Sequence, residues 1–307
     1  MLVLRGLQPA APAPTVLTIG NFDGVHLGHR TLLRRLVTHA ENSGLIPAVL
    51  TFEPHPREFF APLTAPTRLS TLREKLELIA EEGVVLTRVC HFNARLADLS
   101  AEEFVRYVLV DSLRVKHLVI GDDFRFGAGR RGNFALLEEC GAQHGFTVEA
   151  MPSVTLAGER ASSSAVRKAL AEGRLEHAAE LLGRPYVIDG RVVRGNQLGR
   201  QFGFATANIR IKHDRPPLTG VFAVDVHGLP DGPHKGVANL GIRPSVDRVH
   251  RPILEVHLFD FAADLYGRHL SVRFLHKLRN EVHFPDLAAL KAQIAQDVRD
   301  ARLFFKL

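Results

Sequence analysis

Val16-Leu17-Thr18-Ile19, running into Gly20-Asn21-Phe22-Asp23-Gly24-Val25-His26-Leu27-Gly28-His29, is the stretch that decides the fold. Four apolar or β-branched residues read as a strand covered on both faces. Leucines at 32, 33 and 36 then set a helical stripe whose start falls around His26 to Gly28. Gly20, Gly24 and Gly28 allow backbone to approach a ligand closely. The helix N-terminus offers unpaired N–H groups and partial positive charge, which favour phosphate, with Phe22 and Asp23 in the connecting turn. His26 and His29 are placed to donate hydrogen bonds to phosphoryl oxygens as charge shifts toward a leaving group. No third histidine is near in sequence, which weakens a metal reading. Two histidines merely solvated in a first helical turn are the alternative, against which the strand–glycine–helix context speaks.

Outward from this unit the same alternation continues. Ala48–Phe52, Val84–Leu86, Leu118–Ile120 and Phe146–Val148 are further short apolar strand candidates. Thr71-Leu72-Arg73-Glu74 and Ser100-Ala101-Glu102-Glu103 fit the capping box that opens a helix. Strands alternating with helices predict a parallel sheet with right-handed crossovers, whose ligands collect at the carboxyl ends of the strands.

A helical pair, Ser164–Gly173 and Leu175–Leu182, precedes a change of texture at Leu182-Gly183-Arg184-Pro185-Tyr186. Beyond it, Tyr186–Ile188, Arg191–Val193, Gly220–Val226, Ile253–Leu258 and Leu270–Phe274 alternate with period two between glycines, which predicts an antiparallel sheet or small barrel. Helical spacing returns from Asp286 to Phe305. The boundary is placed near Gly183, giving domains 1–183 and 184–307, in keeping with a 307-residue length and the usual ~150 residues per domain.

Composition narrows the class. Hydrophobic residues make up 46% and charged residues 23%, ordinary for a globular chain. No apolar run approaches the roughly 18 residues of a membrane span, and Met1–Thr15 lacks the apolar core of a secretory signal. A cytoplasmic location with no membrane partner is expected, where Cys90 and Cys140 stay free. The 39 basic against 33 acidic residues give +6, which suits an anionic ligand. Nucleic-acid binding would need clustered Lys and Arg interleaved with aromatics. Arg243–Arg251 is basic without an aromatic, so no nucleic-acid partner is expected. The sequence assigns no oligomeric state.

In this context His26-Leu27-Gly28-His29 resembles the HxGH signature of the nucleotidylyltransferase superfamily. Three further segments in order, Thr51–Arg57, Gly121–Gly127 and Ser162–Arg167, make the chain similar to bacterial bifunctional riboflavin kinase/FAD synthetases over nearly its whole length. The resemblance implies a Rossmann-like α/β adenylyltransferase domain followed by an antiparallel β-barrel riboflavin kinase domain with a C-terminal helix. Read on their own, Ser162, Ser163 and Ser164 are either an N-cap or, with Arg160 and Arg167, a phosphate cradle. Asp123 and Phe124 are either a turn with core aromatics or a polar group and ring offered to a flavin or adenine. Pro54-His55-Pro56, with Phe59 and Phe60 beyond, carries the same ambiguity. The family implies that these loops hold FMN and ATP, so that the FMN phosphate attacks the α-phosphorus and releases pyrophosphate, with His26, His29 and Arg160 in the chemistry.

The C-terminal half carries its own motifs. Gly195, Gly199 and Arg200 suit either a flap over phosphates or a plain glycine-rich hairpin. Thr206 and Asn208, two apart on one face of an extended segment, offer oxygens of the kind Mg²⁺ accepts beside ATP phosphates. Ala205 stands where the family has proline, and Ser245 where it usually has threonine. Glu255, inside Leu254–Leu258, is either on a solvated face or facing a site; by resemblance it matches the base that deprotonates the riboflavin 5′-hydroxyl. Arg279, Glu281 and Phe284 are implied to contact the flavin. An adenylyltransferase with a silent flavin-binding barrel is the competing reading, kept alive by Ala205.

Overall fold

The computed structural model describes residues 1–194, 204–212, 215–243 and 251–307. Gly195, Gly199, Arg200, Pro244 and Ser245 lie outside the described residues. Two compact units form: Met1–Pro66 with Leu72–Ser162, and Thr67–Thr71 with Ser163–Leu307.

The first unit holds a six-stranded sheet of β1 (Leu2–Arg5), β2 (Thr15–Ile19), β3 (Ile46–Glu53), β4 (Leu86–His91), β5 (Val115–Gly121) and β6 (Thr147–Met151). All its pairings are parallel, in the order β1-β4-β3-β2-β5-β6. Successive residues go to opposite faces: Leu17, Ala48, Leu50 and Leu118 join one buried cluster, and Val16, Val49 and Val119 join another. Both faces are therefore covered, which explains the unbroken apolar runs. Helix α1 (Leu27–Ser43) lays Leu32, Leu33, Leu36 and Ala40 on the second cluster and ends at Gly44, left-handed at φ 65°. The chain runs outward from β2 in both directions, toward β3 on one side and β5 on the other. The crevice at this reversal of strand order opens beyond the carboxyl ends of β2 and β5.

The expected strands at 16–19, 48–52, 118–120 and 146–148 overlap β2, β3, β5 and β6. The one read at Val84–Leu86 reaches β4 only at Leu86. Thr87 and Arg88 break the apolar run there, yet both are fully buried. Arg88 donates to the carbonyls of Gly6 at 3.0 Å, Pro9 at 2.6 Å and Ser112 at 3.3 Å, tying the segment after β1 to the sheet. Truncation by Arg88→Met strands these acceptors, and denaturant unfolding of the first unit is expected to show a loss of about 3 kcal/mol. An unchanged midpoint would show that water replaces the guanidinium at no cost.

Short helices α2 (Pro56–Phe60), α3 (Leu72–Glu81) and α4 (Ala94–Ala97) punctuate the unit. The Ser100–Glu103 capping box is formed at both of its bonds, at 3.1 and 2.8 Å. It opens α5 (Ala101–Glu103), which continues as a π-helix over Phe104–Ser112, and α6 (Phe134–His144) covers β6. A two-stranded ribbon, β7 (Thr155–Leu156) and β8 (Glu159–Arg160), closes the unit. Cys90 and Cys140 are buried and free.

In the second unit, α7 (Ser163–Ala171) and α8 (Leu175–Leu182) precede β9 (Tyr186–Val193), β10 (Ala207–Arg210), β11 (Gly220–His227), β12 (His234–Arg243), β13 (Arg251–Leu258) and β14 (His269–Arg279). These close into a barrel in the order β10-β13-β12-β11-β14-β9, and α9 (Leu287–Phe305) follows. The two strands read at 186–188 and 191–193 are one. Gly190 joins them because a Cβ there would meet the Ile209 side chain at 2.4 Å and the Arg210 carbonyl at 2.6 Å. Strand β12 escaped the pattern, since Gly236, Asn239 and Gly241 interrupt its alternation. Among the described residues, no helix is long and apolar enough to cross a membrane.

Candidate active sites

The β2–α1 loop carries strain where ligand approach is expected. Phe22 (φ 49°) and Val25 (φ 40°) are left-handed although neither is glycine, and both are buried; Gly24 sits at φ 77°. Such backbone costs of order 1–3 kcal/mol per residue and clusters at functional loops. His26 caps α1, its Nδ1 accepting the His29 N–H at 3.4 Å. The two imidazoles stack with centroids 3.7 Å apart, and Phe22 tilts against His29 at 4.9 Å. Gly28 leaves room for this, because a Cβ there would lie 3.1 Å from the His26 ring and 3.2 Å from the Ala161 carbonyl.

A cavity of about 200 Å³ opens over the pair at the carboxyl ends of β2, β5 and β6. Gly20, Phe22, His26, Gly28 and His29 form one wall; Asp123, Phe124, Arg160 and Ser162 contribute to the others. Arg160 binds the Asp123 carboxylate at 2.9 Å, joining two positions that the sequence left apart. The fully enclosed Nδ1 of His29 and Oδ1 of Asn21 have no hydrogen-bond partner among the described residues. Polar atoms left so are worth about 1–3 kcal/mol each to a ligand that satisfies them. Met151–Val154, also on this wall, were not picked out from the sequence; only their place after a strand beside the crevice could have marked them. Ser163, Ser164 and Arg167 belong to the second unit, where the Arg167 Nε donates to the Thr67 carbonyl at 2.6 Å. His55 caps α2 in a capping box with Glu58, and Phe59 and Phe60 pack edge-on with Phe92.

Burial, reinforced by His26 and Lys75, holds the His29 imidazole well below the ordinary histidine value of 6.5. Between that lowered value and 6.5 the unfolded chain binds the proton and the folded one does not. Stability from neutral His29 is therefore fully present above 6.5 and is lost as pH falls below it. The denaturation midpoint of the wild-type chain is expected to fall more steeply below 6.5 than that of His29→Gln. Parallel curves would show that some other group governs the slope.

On the barrel, Glu255 faces Asn208 of β10 on one side and Asn239 of β12 on the other. Directly opposed residues share a face, so a carboxylate is flanked by two amides. Val256 and Leu258, on the alternate face, line a separate cavity of about 550 Å³ together with Ala205, Thr206, Asp264 and Tyr266. A Cβ on Gly241 would overlap the Glu281 carboxylate, which therefore lies against β12 two residues from Asn239. Arg279 stands 5.7 Å over the Phe284 ring. Its Nε and one terminal nitrogen donate to the two oxygens of Asp297 on α9, each at 2.7 Å. Asp297 is buried and also accepts from Gln293 at 2.9 Å. Nothing in the helical spacing of α9 marks this aspartate.

Residues 8–165 match the family model described as FAD synthetase, and residues 182–305 the one described as riboflavin kinase. The bifunctional riboflavin kinase/FMN adenylyltransferase of Escherichia coli (strain K12) is 50% identical over all of this chain and 99% of that protein. That of Haemophilus influenzae (strain Rd) is 47% identical over 99% of both. The chain belongs to the bifunctional riboflavin kinase/FMN adenylyltransferase family. A Streptococcus pneumoniae crystal structure described as a macrolide-efflux protein is 27% identical, covers 98% of this chain and 99% of that one, and has a TM-score of 0.84.

The Ala205 carbonyl lies 2.9 Å from Nδ1 of His257, which donates in the Nδ1–H tautomer. That bond restrains the segment ahead of Thr206.

Proposed function

We propose that the barrel phosphorylates riboflavin to FMN and the parallel-sheet domain adenylylates FMN to FAD, each with its own ATP. The reading rests above all on the coexistence, in one chain of this family, of the stacked histidine pair in the crevice and the Asn208–Glu255–Asn239 row on the barrel. In the first reaction Glu255 takes the proton of the riboflavin 5′-hydroxyl, whose oxygen attacks the γ-phosphorus as ADP leaves. In the second, an FMN phosphate oxygen attacks the α-phosphorus and pyrophosphate leaves, with no covalent enzyme intermediate. His26, His29 and the N–H groups at the start of α1 meet the growing phosphoryl charge. Arg160 and Ser162 hold phosphate, Asp123 and Phe124 hold the flavin of the acceptor, and the functional boundary falls near Gly183.

Thr206, Asn208 and the neighbouring Glu255 supply hard oxygen donors, a set that fits Mg²⁺. Thr206 and Asn208 would hold the ion, which offsets charge on the ATP phosphates. Arg279, Glu281 and Phe284 contact riboflavin, with Asp297 fixing the Arg279 guanidinium. We place both reactions in the cytoplasm, where Cys90 and Cys140 persist as thiols.

Chromatographic separation of flavins after incubation with ATP and Mg²⁺ tests the whole scheme. Riboflavin passing through FMN to FAD is the expected result; FAD from FMN with riboflavin untouched would leave a silent barrel. Asp297→Asn is expected to raise the Michaelis constant for riboflavin roughly tenfold, equivalent to about 1.4 kcal/mol, while FAD formation from FMN is unchanged. An unaltered constant would show that Arg279 is held in place without its carboxylate.

A further inference from the structure

His39 in the later part of α1, His117 on β5 and Glu149 on β6 converge in the first unit, their ligand-type atoms all within 4.8 Å of one another. None belongs to the phosphate cleft. We propose that they form a binding site for one divalent transition-metal ion of the zinc class. Two imidazoles and a carboxylate are the donor set of a three-ligand zinc site, with water completing the shell. The site borders an open cavity lined by Thr31, Arg35, His39 and Glu149, which gives such water room.

The surrounding contacts orient the ligands. Nδ1 of His117 lies 2.7 Å from the Thr147 hydroxyl, and Nε2 lies 3.4 Å from Oε2 of Glu149. With Nδ1–H donating to Thr147, the Nε2 lone pair points at the carboxylate side, the arrangement by which second contacts fix a metal-binding imidazole. Oε1 of Glu149 accepts from Arg35, which leaves Oε2 to bind the ion through one oxygen. Among the described residues, Arg35 is the cation paired with the ligand set. Arg34, also on the cavity wall, is paired with Glu82 at 2.8 Å. The His39 and His117 rings lie face to face, centroids 3.7 Å apart and 5° from parallel. An ion in the plane of both requires His39 to turn about its ring bond, which its half-exposed place on the helix permits. Segment 151–154 lines both this cavity and the phosphate cleft, so an ion here would brace the wall they share.

Full-length protein stripped with chelator and titrated with Co²⁺ is expected to bind one ion with the visible absorption of a nitrogen–oxygen site, displaced by Zn²⁺. His39→Ala and Glu149→Gln, both at half-exposed positions that tolerate substitution, are each expected to weaken binding at least tenfold, with circular dichroism unchanged. Anomalous scattering from zinc-soaked crystals should place one peak among the three side chains. No cobalt band in the wild-type protein, wild-type affinity in both variants, or a zinc peak only at other histidines would each overturn the assignment.

Discussion

Glu255→Gln is expected to reduce the conversion of riboflavin to FMN by roughly 10²–10⁴-fold, the range for losing a positioned general base. The same variant should form FAD from supplied FMN at the wild-type rate. Glutamine keeps the volume and the strand, so Asn208 and Asn239 retain their partner on β13. What disappears is the negative charge and, with it, the ability to accept a proton. Because the two activities belong to different domains, the purified variant carries its own internal control. A variant that is folded but has lost both activities would show that the sites are not separate. One that still phosphorylates riboflavin would move the base elsewhere, with Glu281 beside Gly241 of β12 the next carboxylate to test.

The parts that could be read from sequence are those written in local pattern. Val16–Ile19 and the leucines of α1 announce a buried strand and a one-faced helix, and the glycines between them announce close approach. Hence the β2–α1 loop, its two histidines and the parallel sheet were legible. Strand β1 was not, because Leu2-Val3-Leu4 is a short apolar run that ends at Arg5 and is only exposed or half-buried at a sheet edge. Strand β4 was misplaced because a buried arginine satisfied by three distant carbonyls looks like a surface residue until those carbonyls are in place. Strand β12 hides behind glycines that make room for the His257 carbonyl at Gly236 and for the Glu281 side chain at Gly241. The Arg160–Asp123 and Arg279–Asp297 pairs span 37 and 18 residues, and no periodicity carries such a relation. The site residues named singly were thus within reach, while the contacts that set their orientation came only with the fold.

Replacing His26 and His29 together by alanine is expected to lower FAD formation from FMN by roughly 10²–10³-fold or more, the loss seen when preorganised donors to a developing oxyanion are removed. FMN formation from riboflavin should persist. The two rings are stacked, share a bond between the His26 Nδ1 and the His29 N–H, and face one cavity. Each single change therefore disturbs the other ring, and the two single losses should sum to more than the double loss. Alanine at 26 also removes the cap of α1, about 1 kcal/mol of stability that has nothing to do with chemistry. His26→Asn keeps a capping oxygen at that position, so its residual activity separates the two roles. If His26→Asn forms FAD at the wild-type rate, the ring at 26 serves only the helix. The catalytic donor would then be His29, whose Nδ1 is enclosed without a hydrogen-bond partner among the described residues and whose imidazole is held by burial below the ordinary histidine value.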